Sequence, residues 1–449
     1  MTRGINVIGY HDSPTGLGTV ARLVARSLAA VGIDHTTVSV TEGVRPPWKP
    51  AVELPYDVNL ICVNADMLPR LAQTLGRDAF EGRRTVGFWW WEVDRFPSSL
   101  AWAAQLVDEI WVGSDFVRRA VETVVPRPVH VFPLPVPVPA AGRPASAPPA
   151  LPSGFRYLFT FSYPSVFERK NPLGAIEAFA QAFPDGEATL VIKAGGSDLF
   201  RDEAALLAQA AARRANVVVL DRTLGEDEYT ALIASADAYV SLHRAEGFGL
   251  TIAEAMALGK PAIATGYSGN LDFMTPANSY LVPYRLAPIP AGTPYPTETT
   301  WAEPDIDAAA QQLRAVYDDR DEAARRAAAG RESLLQSRSF GAAGAFVADR
   351  LDRLEAADAS GALERAAATS LRGPELVSNR SWMLFARKLA QPFFRPYLEY
   401  DVEVAQLILD SVSEERDALL RRVDELEARL AALEARDVQS SADTSSSAT

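Results

Sequence analysis

The sequence predicts an α/β protein built from two doubly wound units that face each other across a cleft, followed by a helical tail. Two separate series of short apolar runs, each alternating with amphipathic stretches, carry the first part of that expectation. A proline-rich stretch, PLPVPVPAAGRPASAPPALPSG at 133–154, divides the two series. Proline removes backbone donors and fixes φ, so this stretch reads as an extended linker and not as a strand. Beyond Val402 the apolar residues recur at alternating spacings of four and three, which predicts a coiled coil.

Bulk composition narrows the function classes. At 449 residues the chain exceeds one ordinary core, and 48% hydrophobic with 22% charged residues is the balance of a globular protein. A formal charge of −13 argues against a general nucleic-acid binder, which needs a surplus of Lys and Arg. The single cysteine, Cys62, allows no internal disulfide and fits a reducing compartment. No apolar run approaches the length of a membrane span, and MTRGINVIGY lacks a signal-peptide layout, so a cytoplasmic location is expected.

In the first series the candidate strands are INVIGY (5–10), DVNLICV (57–63), TVGFW (85–89), EIWVG (109–113) and VHVFPL (129–134). Between the first two lies TVARLVARSLAAVG (19–32), apolar at helical spacing and closed by glycine. The second series offers RYLFTFS (156–162), ATLVIKA (188–194), NVVVLD (216–221), AYVSL (238–242) and PAIAT (261–265). Strands that alternate with helices in this way predict parallel sheets, and ligands then bind beyond the carboxyl ends of the strands.

Chemistry concentrates in three strand-to-helix loops. In HDSPTGLGTVA (11–21), Gly16, Gly18 and Ala21 match the G-x-G-x-x-A spacing of a dinucleotide site, with Glu42 further on. The intervening HDSPT sets it apart from that fingerprint, and a glycine turn presenting backbone N–H groups to a ligand is the other reading. In FSYPSVFERKNPLGAIEAFAQAF (161–183), Asn171 and Pro172 open a helix, so Arg169 and Lys170 stand beside a helix N-terminus. Two fixed cations with exposed N–H groups suit a diphosphate.

The third loop is AYVSLHRAEGFGLTIAEAMALGKPAIATGYSGN (238–270). Its strand ends at His243, the corner is Glu246-Gly247-Phe248-Gly249, and a helix is expected from about Thr251 to Leu258, stopped by Gly259. The freed N–H groups around Gly249, Leu250 and Thr251 can hold phosphate oxygens. Glu246 and Glu254 cannot share one helical face, so each reaches a different hydroxyl-bearing part of one ligand. That arrangement fits a nucleotide sugar.

Glu246 and Glu254, with the surrounding EGFGLTIAEAMALGKPAIAT, resemble the E-x7-E motif of retaining glycosyltransferases of family GT4, which adopt the GT-B fold of two facing Rossmann-like domains. The likeness extends to the N-terminal GLG, to ERKNP and to SGN, over roughly residues 5 to 345. The resemblance implies Glu246 near the donor sugar, Glu254 on the ribose, Arg169 and Lys170 on the diphosphate, and the Gly16–Gly18 loop near donor and acceptor. It implies no bound metal and no cofactor beyond the nucleotide-diphosphate sugar itself. Two positions depart from the family pattern: Ser165 stands where relatives carry an arginine, with Arg169 as the candidate substitute, and Thr251 where they carry a proline. His243, at a strand end beside Glu246, joins the catalytic candidates.

The acceptor side is sought in the first series. GFWWWEVDRFP (87–97) follows a strand and offers Trp89, Trp90, Trp91 and Glu92 as a sugar-stacking platform, with core packing as the alternative reading for the tryptophans. His11 is the remaining acceptor candidate. The expected organisation is a Rossmann-like acceptor domain (1–135), a linker (136–154), a Rossmann-like donor domain (155–345) and a helical crossover with an aromatic-basic segment (346–400). A coiled coil (401–437) and a polar tail (438–449) complete it.

The expected activity is transfer of a sugar to a glycan or lipid-linked saccharide. A GT-B nucleotide-sugar epimerase, or a non-catalytic scaffold assembling glycan enzymes, is the alternative. Further expected partners are a second copy of the chain, through 402–433, and a membrane surface, through SWMLFARKLAQPFFRPYLEY (381–400).

Overall fold

A computed structural model describes residues 3–13, 15–40, 53–138, 146–296 and 298–356. The coiled coil, the polar tail, the 381–400 segment, Glu42 and part of the linker lie outside the described residues, as does the whole of 378–449.

The first lobe holds β1 (Ile5–Gly9), α1 (Gly16–Ala30), β2 (His35–Ser39), β3 (Val58–Cys62), α2 (Leu68–Leu75), β4 (Arg84–Trp89), β5 (Glu109–Val112), α3 (Asp115–Glu122) and β6 (Val129–Val131). These strands form a parallel sheet in the order β2-β1-β3-β4-β5-β6. β1 and β3 are buried at every residue, as expected of strands covered on both faces.

The second lobe contains β7 (Phe155–Thr160), α4 (Phe167–Lys170), α5 (Pro172–Ala182), β8 (Ala188–Ala194), α6 (Arg201–Ala212), β9 (Val217–Asp221), α7 (Glu226–Ser235) and β10 (Ala238–Ser241). It continues with α8 (Leu250–Ala257), β11 (Ala262–Thr265), β12 (Tyr280–Val282), β13 (Tyr284–Pro288), β14 (Thr300–Pro304), α9 (Ile306–Asp318), α10 (Arg320–Ser337) and α11 (Phe340–Ala356). Its parallel sheet runs β12-β11-β10-β7-β8-β9, and β13 pairs antiparallel with β14 as a separate hairpin.

The chain crosses between lobes twice. The segment after β6 leads out, and α11 returns to pack on α1, where a side chain at Gly344 would strike Val31 and the Ser27 carbonyl. Phe346 of α11 meets Trp111 and Phe132 edge-on, and Arg350 pairs with the buried Glu109. The two crossings touch where Val136 N–H donates to the Arg338 carbonyl at 2.9 Å. Among the described residues no helix is long and apolar enough to cross a membrane.

Candidate functional site

Each candidate loop of the second lobe ends a central strand of its sheet, and local chemistry fixes its course. Asn171 adopts the left-handed region at φ 53°, its side chain accepts from Gly174 N–H at 3.2 Å to cap α5, and its amide donates to the Leu242 carbonyl at 2.9 Å. That one residue therefore binds the ERK turn to the end of β10. Gly249, at φ 89°, opens α8 with no side-chain cap, leaving the helix N-terminus free for an anion. The expected start at Thr251 is one residue late, and the stop at Gly259 (φ 72°) is as expected.

Glu246 lies at the centre. It is 8% exposed, and Lys170 Nζ donates to its Oε1 at 2.5 Å while Arg169 Nη1 donates to its Oε2 at 3.2 Å. Burial alone would raise the carboxyl pKa, but Lys170 and Arg169 outweigh it and hold the group at about 2. Burial, reinforced by repulsion from Arg169, lowers Lys170, which Glu246 counters. The backbone of Glu246 is also fixed, its N–H donating to Ser268 Oγ at 2.8 Å and its carbonyl accepting from Gly269 N–H at 2.9 Å.

Among the described residues, the three non-glycine positions with positive φ are Val166, Asn171 and Ser268. All three belong to the loops that hold Lys170 or Glu246. Backbone held in such sparsely populated conformations gathers at functional sites.

Arg169 departs from its expected role. It is 3% exposed, and its Nη1 also donates to the Ala245 carbonyl at 2.7 Å, so it braces Glu246 from beneath and presents no open face to a diphosphate. His243 departs as well, for it is fully buried. Its Nε2 faces two acceptors, the Tyr267 carbonyl and Asn270 Oδ1, each at 3.2 Å, so that nitrogen carries the proton. Nδ1 then accepts from Ser241 Oγ at 3.2 Å, and burial lowers the pKa to keep the ring neutral. The imidazole thus ties the end of β10 to the 267–270 loop through both ring nitrogens.

Glu254 points away from Glu246 toward a cluster of hydroxyls. Tyr229 bonds to it, and Thr160 Oγ1 lies 3.1 Å from the Tyr229 hydroxyl and 2.9 Å from that of Tyr239, which in turn pairs with Thr251. Burial pushes the Glu254 carboxyl up to about 7, against the pull of Tyr229. The side chain remains half-buried at the helix edge. Two carboxylates eight positions apart are therefore shifted in opposite directions, Glu246 down by its cations and Glu254 up by burial.

The remaining corner residues act through the backbone. Phe248 is 2% exposed and packs on Phe273 with ring centroids 5.0 Å apart, so its side chain belongs to the core instead of a donor pocket. Gly247 is where the lobes meet: its carbonyl accepts from Ser114 Oγ of the first lobe at 2.5 Å. A Cβ there would come within 2.8 Å of the Trp91 carbonyl. Leu250 and Thr251 sit half-buried at the start of α8.

On the first lobe, Trp89 is fully buried and stacked on Phe96 at 5.8 Å, so it is a core residue and not part of a platform. Trp91 and Glu92 are half-buried at the seam between lobes. The loop is fixed by Asn64 Oδ1, which accepts from Trp90 N–H at 2.9 Å. His11 is half-buried, with Nε2 3.0 Å from the Val7 carbonyl, and burial lowers its pKa. Gly18 is demanded by its own turn, because a Cβ would lie 2.3 Å from the Ser13 carbonyl and 2.5 Å from that of Tyr10. Gly16 has open space at that position.

Sequence reasoning missed Tyr229, Tyr295 and Ser114. Ser114 had a signal in the S-D-F start of a helix after an apolar run, since Ser114 Oγ does cap α3. Tyr295 had none, because it sits among prolines.

Among curated proteins none matches the chain by sequence. Solved structures share the fold. The sucrose-phosphate synthase of Thermosynechococcus elongatus is 17% identical with a TM-score of 0.55, over 79% of this chain and all (100%) of that one. Anabaena Alr3699/HepE, solved with UDP and glucose, is 16% identical with a TM-score of 0.54, over 78% of this chain and 100% of that one. The chain spans only 55% of the length of a mutant S. aureus TarM, covering 66% of itself at 14% identity and a TM-score of 0.49. The two facing six-stranded parallel sheets agree with the GT-B architecture. The lobe that carries Lys170, Glu246 and Glu254 matches, over residues 154–333, the family described as Glycosyl transferases group 1.

Proposed function

We propose that the protein is a retaining glycosyltransferase of the GT4 type, moving a sugar from a nucleotide-diphosphate donor to a hydroxyl of a glycan or lipid-linked saccharide. The observation that carries this reading is the Lys170–Glu246–Arg169 cluster, buried at the carboxyl edge of the sheet in the lobe that matches the family. Lys170 is the mobile member, since Arg169 alone can keep Glu246 ionised when the ammonium turns to the diphosphate. The uncapped N-terminus of α8 supplies N–H donors to the same phosphates. Glu246 then accepts from a hydroxyl of the donor sugar, and Glu254, among Tyr229 and Thr160, accepts from the ribose.

In the reaction the bond between the anomeric carbon and the phosphate oxygen breaks and one to the acceptor oxygen forms. The acceptor proton leaves on the diphosphate. Positive charge at the leaving group lowers the barrier because it interacts more strongly with the developing charge than with the bound donor. Self-association through 402–433, a membrane contact through 381–400 and a cytoplasmic location are further proposals that rest on the sequence alone.

A panel of UDP-, GDP-, ADP- and dTDP-sugars tests the reading, with UDP-glucose first because the similar HepE structure holds UDP and glucose. Nuclear magnetic resonance of the product reads the anomeric configuration. Retention supports the proposal and inversion removes it. Release of a free epimer without acceptor would favour the epimerase.

A further inference from the structure

The hairpin of β13 and β14 is fastened at both ends to residues that matter. On one side it grips the strand extension that leads to Glu246. Arg244 forms a two-pronged ion pair with Glu303 at 2.7 and 2.8 Å, its guanidinium lies 5.4 Å over Trp301, and its carbonyl accepts from Ala302 N–H at 2.9 Å. On the other side it reaches the first lobe. Tyr295 donates to Glu92 Oε2 at 3.3 Å, Thr300 Oγ1 donates to Asp94 Oδ2 at 3.3 Å, and Trp91 meets Tyr295 edge-on at 5.7 Å. Between these fastenings Val93, Ala245, Ile289, Tyr295 and Trp301 form a small apolar cluster of their own.

Two features distinguish this seam from static packing. Both polar contacts from the hairpin to the first lobe, at 3.3 Å, are long for hydrogen bonds of their type. Asp94 keeps its other oxygen, Oδ1, buried with no hydrogen-bond partner, a state that separation of the lobes would relieve by solvation. The hairpin's own hold on the first lobe is therefore made of contacts that can open. Ala245, inside the cluster, is the residue before Glu246, and its carbonyl is the one that Arg169 braces.

We propose that the hairpin is a latch between the lobes and that Tyr295 is its positioning residue: contact with Glu92 closes the seam and in the same stroke fixes the Ala245–Glu246 segment. The latch stands on geometry alone. Its consequence for catalysis rests on the glycosyltransferase reading.

The test uses the full-length chain and the variants Tyr295→Phe, Thr300→Val and the two combined. Arg244, Glu303 and the rings stay in place, and unchanged thermal midpoints verify folding. Hydrogen exchange in peptides covering 90–97 should quicken by about threefold or more in the double variant, with β7 unaffected. In the same proteins kcat should fall about tenfold while donor KM stays within about twofold. Glu92→Gln added to Tyr295→Phe should cost no more than either change alone. Unaltered exchange at 90–97 in a folded double variant overturns the latch. Faster exchange with kcat and KM unchanged overturns the positioning role. Faster exchange in a protein that transfers no sugar leaves the latch standing and removes the glycosyltransferase reading.

Discussion

Glu246 shares two cations with almost no water, and that placement sets its energetics. Replacing it by Gln strands Lys170 and Arg169 side by side, and loss of one partner of a buried pair costs about 3 kcal/mol or more. Glu246→Gln combined with Lys170→Met should recover much of that loss, which urea unfolding of the three proteins would measure. The folded-state pKa of about 2 lies below the ordinary 4.5, so the stabilisation is present above about pH 4.5 and is lost as pH falls toward 2. Glu254 has the opposite sign. Its folded pKa of about 7 exceeds the ordinary 4.5, so its contribution is complete below about pH 4.5 and is lost as pH rises through 7. Glu254→Gln should therefore gain on the order of 1–2 kcal/mol relative to wild type between pH 5 and pH 8, discounted because the side chain is only half-buried. Thermal unfolding at the two pH values checks it, and parallel curves would contradict it. At this scale the two acids could be picked out of the sequence as candidates, but their partners could not. Lys170 and Glu246 stand 76 positions apart, and nothing local marks Arg169, His243, Trp89 or Phe248 as buried and not cleft-facing.

The glycines of the first loop separate into two physical kinds. Gly18 packs against its own loop, and Gly18→Ala forces a carbon into two carbonyl oxygens, with an expected loss of about 1–3 kcal/mol. Gly16→Ala meets nothing and sits in the first turn of α1, so it should change stability by less than about 0.5 kcal/mol. Equal losses at both positions in denaturant midpoints would contradict that assignment. Parallel strands buried on both faces, such as INVIG and VNLIC, were legible because apolar residues dominate them, and their buried polar members Asn6 and Asn59 satisfy each other at 2.9 Å. The hairpin was not. Tyr284–Pro288 is mostly exposed, and Pro283, Pro288, Pro290, Pro294 and Pro296 make the stretch read as loop, so its pairing follows from tertiary fastening to Arg244 and not from propensity.

At the scale of the whole molecule, two similar sheets meet at Gly247, where Ser114 and the Trp91 backbone from one lobe touch the corner that precedes α8 in the other. The alternation of strands and helices announced two lobes and a helical crossover after them, but not that α11 packs on α1, because an alanine-rich helix does not say which neighbour it covers. On the proposed reading this corner holds a nucleotide-diphosphate sugar through Lys170. Isothermal titration of the full chain with UDP-glucose and the other donors, in wild type and Lys170→Ala, tests it most directly. Wild type should bind at least one donor saturably, and Lys170→Ala should lose about tenfold or more, as expected when a charged hydrogen bond to phosphate is removed. Absence of binding for every donor, or equal affinity in the two proteins, would contradict it.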